Sequence, residues 1–159
     1  MERNLPRVLK QKLPALKKLF GRDPRVLGVF LFGSQADGTA TPRSDIDLAV
    51  LFDRDIMYDE ELRFELAVSK ALGTRDVSVT NLTRAELPIR FAAIGGDLLY
   101  ESDYVRVSDF VERTLQDQQR HADFVKREEY WEGTLQGRKQ ESTGKMRGSI
   151  KSRNTPEER

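Results

Sequence analysis

The sequence has no cysteine among its 159 residues and a single histidine, His121. These absences exclude disulfides, thiolate metal sites, cysteine nucleophiles and any metal site built from several histidines. Its longest hydrophobic run, Val26 to Phe32, is far shorter than the ~20 apolar residues that cross a bilayer. No apolar signal core follows Met1, so we expect a cytoplasmic protein without a membrane segment. Its chemistry must rely on carboxylates, hydroxyls, backbone amides and bound ions.

Charge is unevenly distributed along the chain, although the net charge is only +1. From Arg138 to the end there are seven Lys or Arg residues against three Asp or Glu residues, so the rest of the chain is mildly acidic. The last stretch has almost no apolar pattern. Composition therefore predicts one folded domain over 1–132, followed by a basic, disordered tail over 133–159. Since no aromatic residues are interleaved with the tail's charges, we expect no stable nucleic-acid partner.

The spacing of apolar residues predicts an α/β (α+β) protein with a small mixed sheet. Short apolar segments that end in turn residues predict strands at 26–32, 46–52 and 75–82, and a short one at 98–100. Helical spacing predicts helices at 5–20, 59–72 and 83–94, and a long last helix at 103–131. We therefore expect three or four strands flanked by helices.

A Gly-Ser pair, Gly33-Ser34, follows the first predicted strand directly. Glycine allows a phosphate to approach the backbone closely, and serine offers a hydroxyl. Free N–H groups at the start of a following helix would point at the anion. Gly-Ser after a strand is also common in ordinary turns, so this pair indicates a phosphate loop only together with other features.

Two aspartates, Asp45 and Asp47, lie two positions apart where the second strand begins. Strand alternation places both carboxylates on one face and Ile46 on the other. Neighbouring carboxylates repel each other, and a divalent cation such as Mg²⁺ relieves that repulsion. The simpler interpretation of an isolated Asp-x-Asp is a solvated strand start.

Topology adds a third carboxylate, Asp76, to this pair. If the first two strands are antiparallel neighbours, Gly33 and the two aspartates share one edge of the sheet. The helical crossover at 59–72 makes the third strand parallel to the second, which brings Asp76 to the same edge. Three carboxylates can hold two metal ions about 4 Å apart, which activate an attacking oxygen and stabilise a leaving pyrophosphate. Asp76 is the candidate general base, or else the ligand that orients the acceptor, whereas Asp53 and Asp55 fall at the far end and are expected to be solvated.

The segment LFGSQADGTATPRSDIDLAVLF, with Asp76 later, resembles the signature of the polymerase-β-type nucleotidyltransferase superfamily. Over residues 1 to about 132 the chain is most similar to the minimal nucleotidyltransferase (MNT) group, and to its antitoxins that pair with HEPN toxins. The resemblance implies the nucleotidyltransferase fold, Mg²⁺ (two ions), ATP as substrate, and transfer of AMP to a tyrosine of a HEPN ribonuclease toxin.

The resemblance also implies roles for particular residues. It makes Asp45, Asp47 and Asp76 the metal ligands and catalytic residues, and Gly33 and Ser34 part of the nucleotide site. Two further residues of the same loop, Arg43 and Ser44, are candidates for nucleotide binding. An exposed loop arginine and a serine that shapes the loop by local hydrogen bonds are the alternatives for these two.

Two other functions are compatible with the same residues. The chain could neutralise a toxin by steric contact alone, without catalysis. It could also transfer a nucleotide to a small molecule or to an RNA end, since a fold does not specify its substrate.

Overall fold

The computed structural model describes residues 5–33 and 45–151, with side chains up to residue 138. The chain divides into two compact units, Met1–Gln118 and Gln119–Arg159. The described strands are β1 (Val26–Phe32), β2 (Ile46–Phe52), β3 (Val77–Asn81) and β4 (Asp97–Glu101). The described helices are α1 (Arg7–Gly21), α2 (Tyr58–Leu72), α3 (Leu87–Ile94) and α4 (Tyr104–Lys151).

The four strands form one mixed sheet in the order β3-β2-β1-β4. Strand β1 pairs antiparallel with β2 and with β4, while β2 pairs parallel with β3. This arrangement confirms the topology expected from the sequence. The end of β1 therefore lies beside the starts of β2 and β3, with Phe32 opposite Asp47 and Ile46 opposite Val77.

Helices α1 and α2 cover one face of the sheet and enclose the larger part of the core. Buried apolar residues of the two helices pack against alternate residues of the two central strands. The helix residues are Leu9, Leu16, Phe20, Phe64, Val68 and Leu72, and the strand residues are Val29, Leu31, Leu48 and Val50. The Phe20 ring stacks on Phe64 with ring centres 5.9 Å apart. Burial on this face explains why every second position of β1 and β2 is apolar.

The other face of the sheet carries a second, smaller core. Its buried residues come from β1, β2, the segment after β3, and helices α3 and α4, and they are Leu27, Phe30, Ala49, Leu51, Leu82, Ala93 and Val107. With both faces covered, β1 and β2 consist almost entirely of apolar residues. The first residue to break this pattern in β2 is Asp47, which alternation places on the same face as Ala49.

Several boundaries differ from the sequence-based predictions. Helix α3 begins at Leu87 rather than at 83, and Pro88 occupies the first turn of the observed helix. Strand β3 begins at Val77, two residues later than predicted. Helix α4 continues to Lys151, well past the predicted end at 131. The segment after 132 lacks an apolar stripe and contains four poor helix formers, Gly133, Gly137, Gly144 and Gly148, so no local sequence signal explains the extension. The division of the chain at 132 stays a prediction.

The described part of the second unit consists of the rest of α4. Its large apolar side chains Phe124, Tyr130 and Trp131 are all exposed. Within the described ranges, no helix is both long and apolar enough to cross a membrane.

An ion-pair network joins the turn before β1 to the start of α2. The backbone N–H, Nε and Nη2 of Arg25 each donate to the Asp23 carboxylate at 3.0 Å. The same guanidinium donates through Nη1 to Glu60 at 2.9 Å, and Glu60 accepts from the Met57 N–H at the start of α2. The hydrogen bonds from Arg25 lower the pKa of Asp23, although partial burial opposes that shift.

We expect Asp23→Asn to lower the free energy of unfolding by about 1 kcal/mol at pH 7, as for a partly buried charged hydrogen bond. A lowered carboxyl pKa stabilises the folded state above the unfolded pKa of about 4, and this contribution is lost as the pH falls through the folded pKa. Urea unfolding from pH 7 to pH 2 should therefore show the two proteins converging below about pH 4. A difference that is independent of pH would contradict the ionic origin.

Candidate active site

The backbone of Gly33 lies directly against the Asp47 carboxylate. Gly33 follows the last residue of β1 and has a φ of +73°, a conformation that favours glycine. A Cβ added at this position would lie 2.6 Å from Oδ2 of Asp47, closer than carbon and oxygen pack. The structure therefore brings these two residues together, as the predicted antiparallel pairing requires.

Asp45 and Asp47 form a like-charged pair at the start of β2. Asp45 is exposed and Asp47 is half-buried, and they alternate with Ile46, which enters the core. Burial raises the pKa of Asp47, and the nearby charge of Asp45 raises it further. The folded chain thus holds a partly desolvated carboxylate beside a second one. Desolvation and repulsion both destabilise the charged form of Asp47, and a cation bound to both carboxylates would offset that destabilisation.

Asp76 lies at the same edge, directly before β3. Its backbone carbonyl accepts a hydrogen bond from the Ile46 N–H at 2.8 Å, which ties it to the residue between the two aspartates. Its own N–H donates to the hydroxyl oxygen of Thr74 at 3.1 Å. Asp76 is exposed, whereas the next residue, Val77, is buried in the core. The chain folds this way because the apolar residues of β3 must face α2.

The oxygen ligands at this edge fit a hard divalent cation such as Mg²⁺. The charge of Asp45 lies close enough to Asp47 to raise the pKa of its carboxyl group, and a cation at this edge would relieve that repulsion. Among the described residues, no three carboxylate or histidine side chains already converge on one point in a metal-binding geometry. The role of Asp76 as a third ligand, and the number of ions, stay predictions.

Three predicted nucleotide-binding residues, Ser34, Arg43 and Ser44, lie outside the described residues. Their contribution to the site stays a prediction based on the sequence. Gly33 is therefore the part of the predicted phosphate loop that the structure describes.

The far end of β2 carries Asp53 and Asp55, which the sequence predicts to be solvated. Asp55 is exposed, as predicted, and its carboxylate accepts a hydrogen bond from Nη1 of Arg84 at 3.0 Å, whereas Asp53 is half-buried. The backbone carbonyl of Asp53 accepts from Nη2 of Arg106 at 3.1 Å. The sequence carried no signal for these contacts, because Arg84, in the segment after β3, and Arg106, in α4, lie far along the chain and reach this edge only in the folded protein.

The fold and the site together define a class of protein. A mixed sheet that ends in a glycine turn, with paired aspartates on the next strand and another aspartate before the neighbouring parallel strand, describes a nucleotidyltransferase domain. The family model described as polymerase beta, nucleotidyltransferase matches residues 15–105, more than half of the chain. The chain belongs to the polymerase-β nucleotidyltransferase family.

Solved structures with the same fold include antitoxin complexes. A toxin–antitoxin complex with AMP-PNP contains a chain 24% identical to this one, with a TM-score of 0.60 over 68% of this chain and 87% of that chain. The MNT antitoxin complex with a tri-AMPylated HEPN toxin from Shewanella oneidensis matches at 20% identity, with a TM-score of 0.57 over 70% of this chain and 87% of that chain. At these identities the likeness shows the fold alone. No curated protein matches the chain.

Proposed function

We propose that this protein is the MNT antitoxin of a toxin–antitoxin pair, and that it neutralises a HEPN toxin by transferring AMP from ATP to a tyrosine of the toxin. The observation that carries the proposal is the Asp45–Asp47 pair, with the Asp47 carboxylate against the backbone of Gly33, at the edge where Asp76 also lies. Family membership supports nucleotidyl transfer. The choice of acceptor is supported by the neighbour whose HEPN toxin is tri-AMPylated.

In the proposed site, one group of residues binds Mg²⁺ and a second group binds the phosphates of ATP. Asp45 and Asp47, with Asp76 as the third ligand, would hold Mg²⁺, and Gly33, Ser34, Arg43 and Ser44 would hold the phosphates of ATP. When bound, Mg²⁺ would neutralise the carboxylates and stabilise the charge that develops on the leaving pyrophosphate. Because Asp47 is half-buried, its carboxylate is partly shielded from water, which would strengthen its electrostatic interaction with a bound cation.

The proposed reaction is an in-line displacement at the α-phosphorus of ATP. The tyrosine oxygen forms a bond to the α-phosphorus, the bond from that phosphorus to the bridging oxygen of the β-phosphate breaks, and pyrophosphate leaves. The phenolic proton passes to the carboxylate of Asp76, which is exposed at the edge and therefore accessible to a partner's side chain. The products are AMP-tyrosine and pyrophosphate.

One structural neighbour supports the choice of the paired aspartates. It is a mutant toxin–antitoxin complex in which two aspartates, two positions apart, are replaced by glutamate, and it matches at 23% identity with a TM-score of 0.60. The same spacing separates Asp45 from Asp47.

The test is incubation of the protein with a HEPN toxin, Mg²⁺ and ATP labelled at the α-phosphate. We expect label on the toxin, and mass spectrometry should find added AMP on a tyrosine. An unlabelled toxin in the presence of folded protein would contradict the proposal. If Asp45→Ala/Asp47→Ala still rescues growth from the toxin, neutralisation is steric instead; label on RNA or on a small molecule would identify another acceptor.

Gly33→Ala should reduce AMP transfer far more than it reduces the stability of the fold. The added methyl group must displace the Asp47 carboxylate, so we expect AMP transfer to fall by at least about tenfold, in addition to a backbone cost of about 1 kcal/mol. Gly73→Ala is a matched control, because Gly73 also has a positive φ, +70°, but nothing lies within 4 Å of its added Cβ. Both variants should lose similar stability in thermal unfolding. Equal activities in the two variants would contradict the close contact at Asp47.

A further inference from the structure

A second concave site lies at the opposite end of the sheet from the proposed active site. It is a cavity of about 570 Å³ at the start of β1 and the end of β2, between the segment after β3 and helices α3 and α4. Its floor is apolar and includes Leu27, Leu51 and Leu82. Leu51 is four residues along β2 from Asp47, or roughly 13 Å at ~3.3 Å per residue. We propose that this cavity binds a nucleotide, at a site separate from the catalytic aspartates.

Four arginines line the cavity, and they differ in how far their charge is balanced. Arg84 is paired with Asp55 and Glu61, and Arg90 is paired with Asp117 at 3.3 Å. Arg106 instead donates to a backbone carbonyl, that of Asp53, which carries no net charge. Two of the four are therefore held in place by carboxylates and supply little free charge.

The remaining positive charge is concentrated on α4. Arg113 is exposed and has no ion pair or hydrogen bond among the described residues. Asp109 also lines the cavity and has no ion pair in the described part of the chain. The two positive charges of Arg106 and Arg113 exceed its single negative charge. Guanidinium groups with unused donors bind phosphate oxygens in bidentate geometry, so the cavity favours a phosphorylated ligand.

The same face of α4 also supplies an aromatic surface. Arg106, Phe110 and Arg113 follow one another at spacings of four and three residues, which places them on one side of the helix. Phe110 is half-buried, and its ring lies between the two arginines along the helix. The two arginines are about 10 Å apart along the helix axis at ~1.5 Å per residue. A base stacked on Phe110 would keep its phosphate within reach of either guanidinium.

The shape of the site favours a mononucleotide over a polymer or an acidic peptide. Its volume lies within the range of small-molecule sites, roughly 300–1,000 Å³. A cavity with an apolar floor, the half-buried Phe110 ring and the guanidinium groups of Arg106 and Arg113 suits one base and one phosphate group. A polymer would need a basic surface that continues beyond the cavity, whereas Asp109 and Asp117 belong to its lining.

Calorimetric titration of the full chain with AMP in the presence of EDTA tests the proposal. AMP should bind, and inorganic phosphate should bind at least about tenfold more weakly because it lacks a base. Arg106→Gln/Arg113→Gln should weaken AMP binding by about tenfold or more, since two charged contacts are lost. Phe110→Ala should weaken AMP binding but leave phosphate binding unchanged. Arg113→Gln alone, which removes no contact within the fold, should give a smaller loss than the double variant.

Two controls separate this site from the catalytic one and from general charge effects. Asp45→Asn/Asp47→Asn should bind AMP in EDTA as the wild type does, and so should Arg7→Gln, which removes an exposed arginine of α1. AMP binding that is unchanged in the arginine double variant, or lost in the aspartate double variant, would overturn the proposal. Absence of binding at millimolar AMP would do the same. Tighter binding of an RNA oligomer than of AMP, dependent on Arg113, would contradict a mononucleotide site.

Discussion

Asp47→Asn is expected to reduce AMP transfer by at least about a hundredfold without loss of the fold. The substitution keeps the size of the side chain but removes the charge that the proposed site uses to hold Mg²⁺. Stability should be unaffected or slightly increased, because the Asp47 carboxylate is half-buried beside Asp45 and both conditions disfavour its charge in the folded protein. Labelled-ATP transfer and thermal unfolding measure the two effects on the same sample.

Asp59→Asn is the matched control for this experiment. Asp59 is an exposed residue of α2, and its ion pair with Arg63 connects neighbouring turns of one helix. Pairs of this kind contribute about 0.5 kcal/mol or less, so the variant should keep full activity. Mg²⁺ should raise the unfolding temperature of the wild type and of Asp59→Asn, but not that of Asp47→Asn. Full activity in Asp47→Asn would remove the basis of the proposed site.

Gly96→Ala is expected to destabilise the protein by about 3 kcal/mol or more. Gly96 lies between α3 and β4, and a Cβ at this position would overlap the backbone carbonyl oxygen of Leu31. That carbonyl belongs to β1, which pairs with β4 through Leu31 and Asp97. Since the obstacle is backbone in the centre of the sheet, no side-chain rotation can relieve the overlap. Urea denaturation should show the loss directly.

Gly95→Ala tests the reason for that effect. Gly95 is adjacent in sequence, but an added Cβ would be 3.5 Å from the nearest atom, the carbonyl oxygen of Ala92, which is an ordinary contact. Its backbone φ of −77° suits any residue. We expect a change of less than about 1 kcal/mol, and the substitution could be mildly stabilising because alanine restricts the unfolded chain. Equal destabilisation in the two variants would mean that the backbone contact at Leu31 is not the cause.

The elements of the fold could be predicted where a local pattern was strong. Strands β1 and β2 match their predicted bounds, since both are short apolar runs flanked by polar or turn residues. Helix α2 begins one residue before its predicted start and ends where glycine adopts a left-handed conformation. Helix α4 continues past its predicted end, and the polar, glycine-containing sequence after 132 has no periodic apolar pattern from which that continuation could be predicted.

The candidate site could be predicted where its residues are close together in sequence. Gly33, Asp45 and Asp47 lie close together in sequence, and strand alternation relates the two carboxylates. Asp76 could be brought to the same edge only by assuming that β2 and β3 are parallel, which the helical crossover favours and the structure confirms. The arginine-lined cavity had no such signal, since its arginines are separated by 6 to 16 residues and lie on three different segments.

The sequence by itself determined the strands, most helix bounds and the motif that pairs a glycine turn with two aspartates, because these depend on residues near one another in the chain. Only the tertiary structure decided that Asp76 hydrogen-bonds to the residue between those aspartates, that Gly33 lies against Asp47, and that Arg106 and Arg113 face a cavity behind the sheet. Contacts of this kind depend on how distant segments pack. Strand pairing and the burial of two hydrophobic cores determine that packing, and no local pattern in the sequence records it.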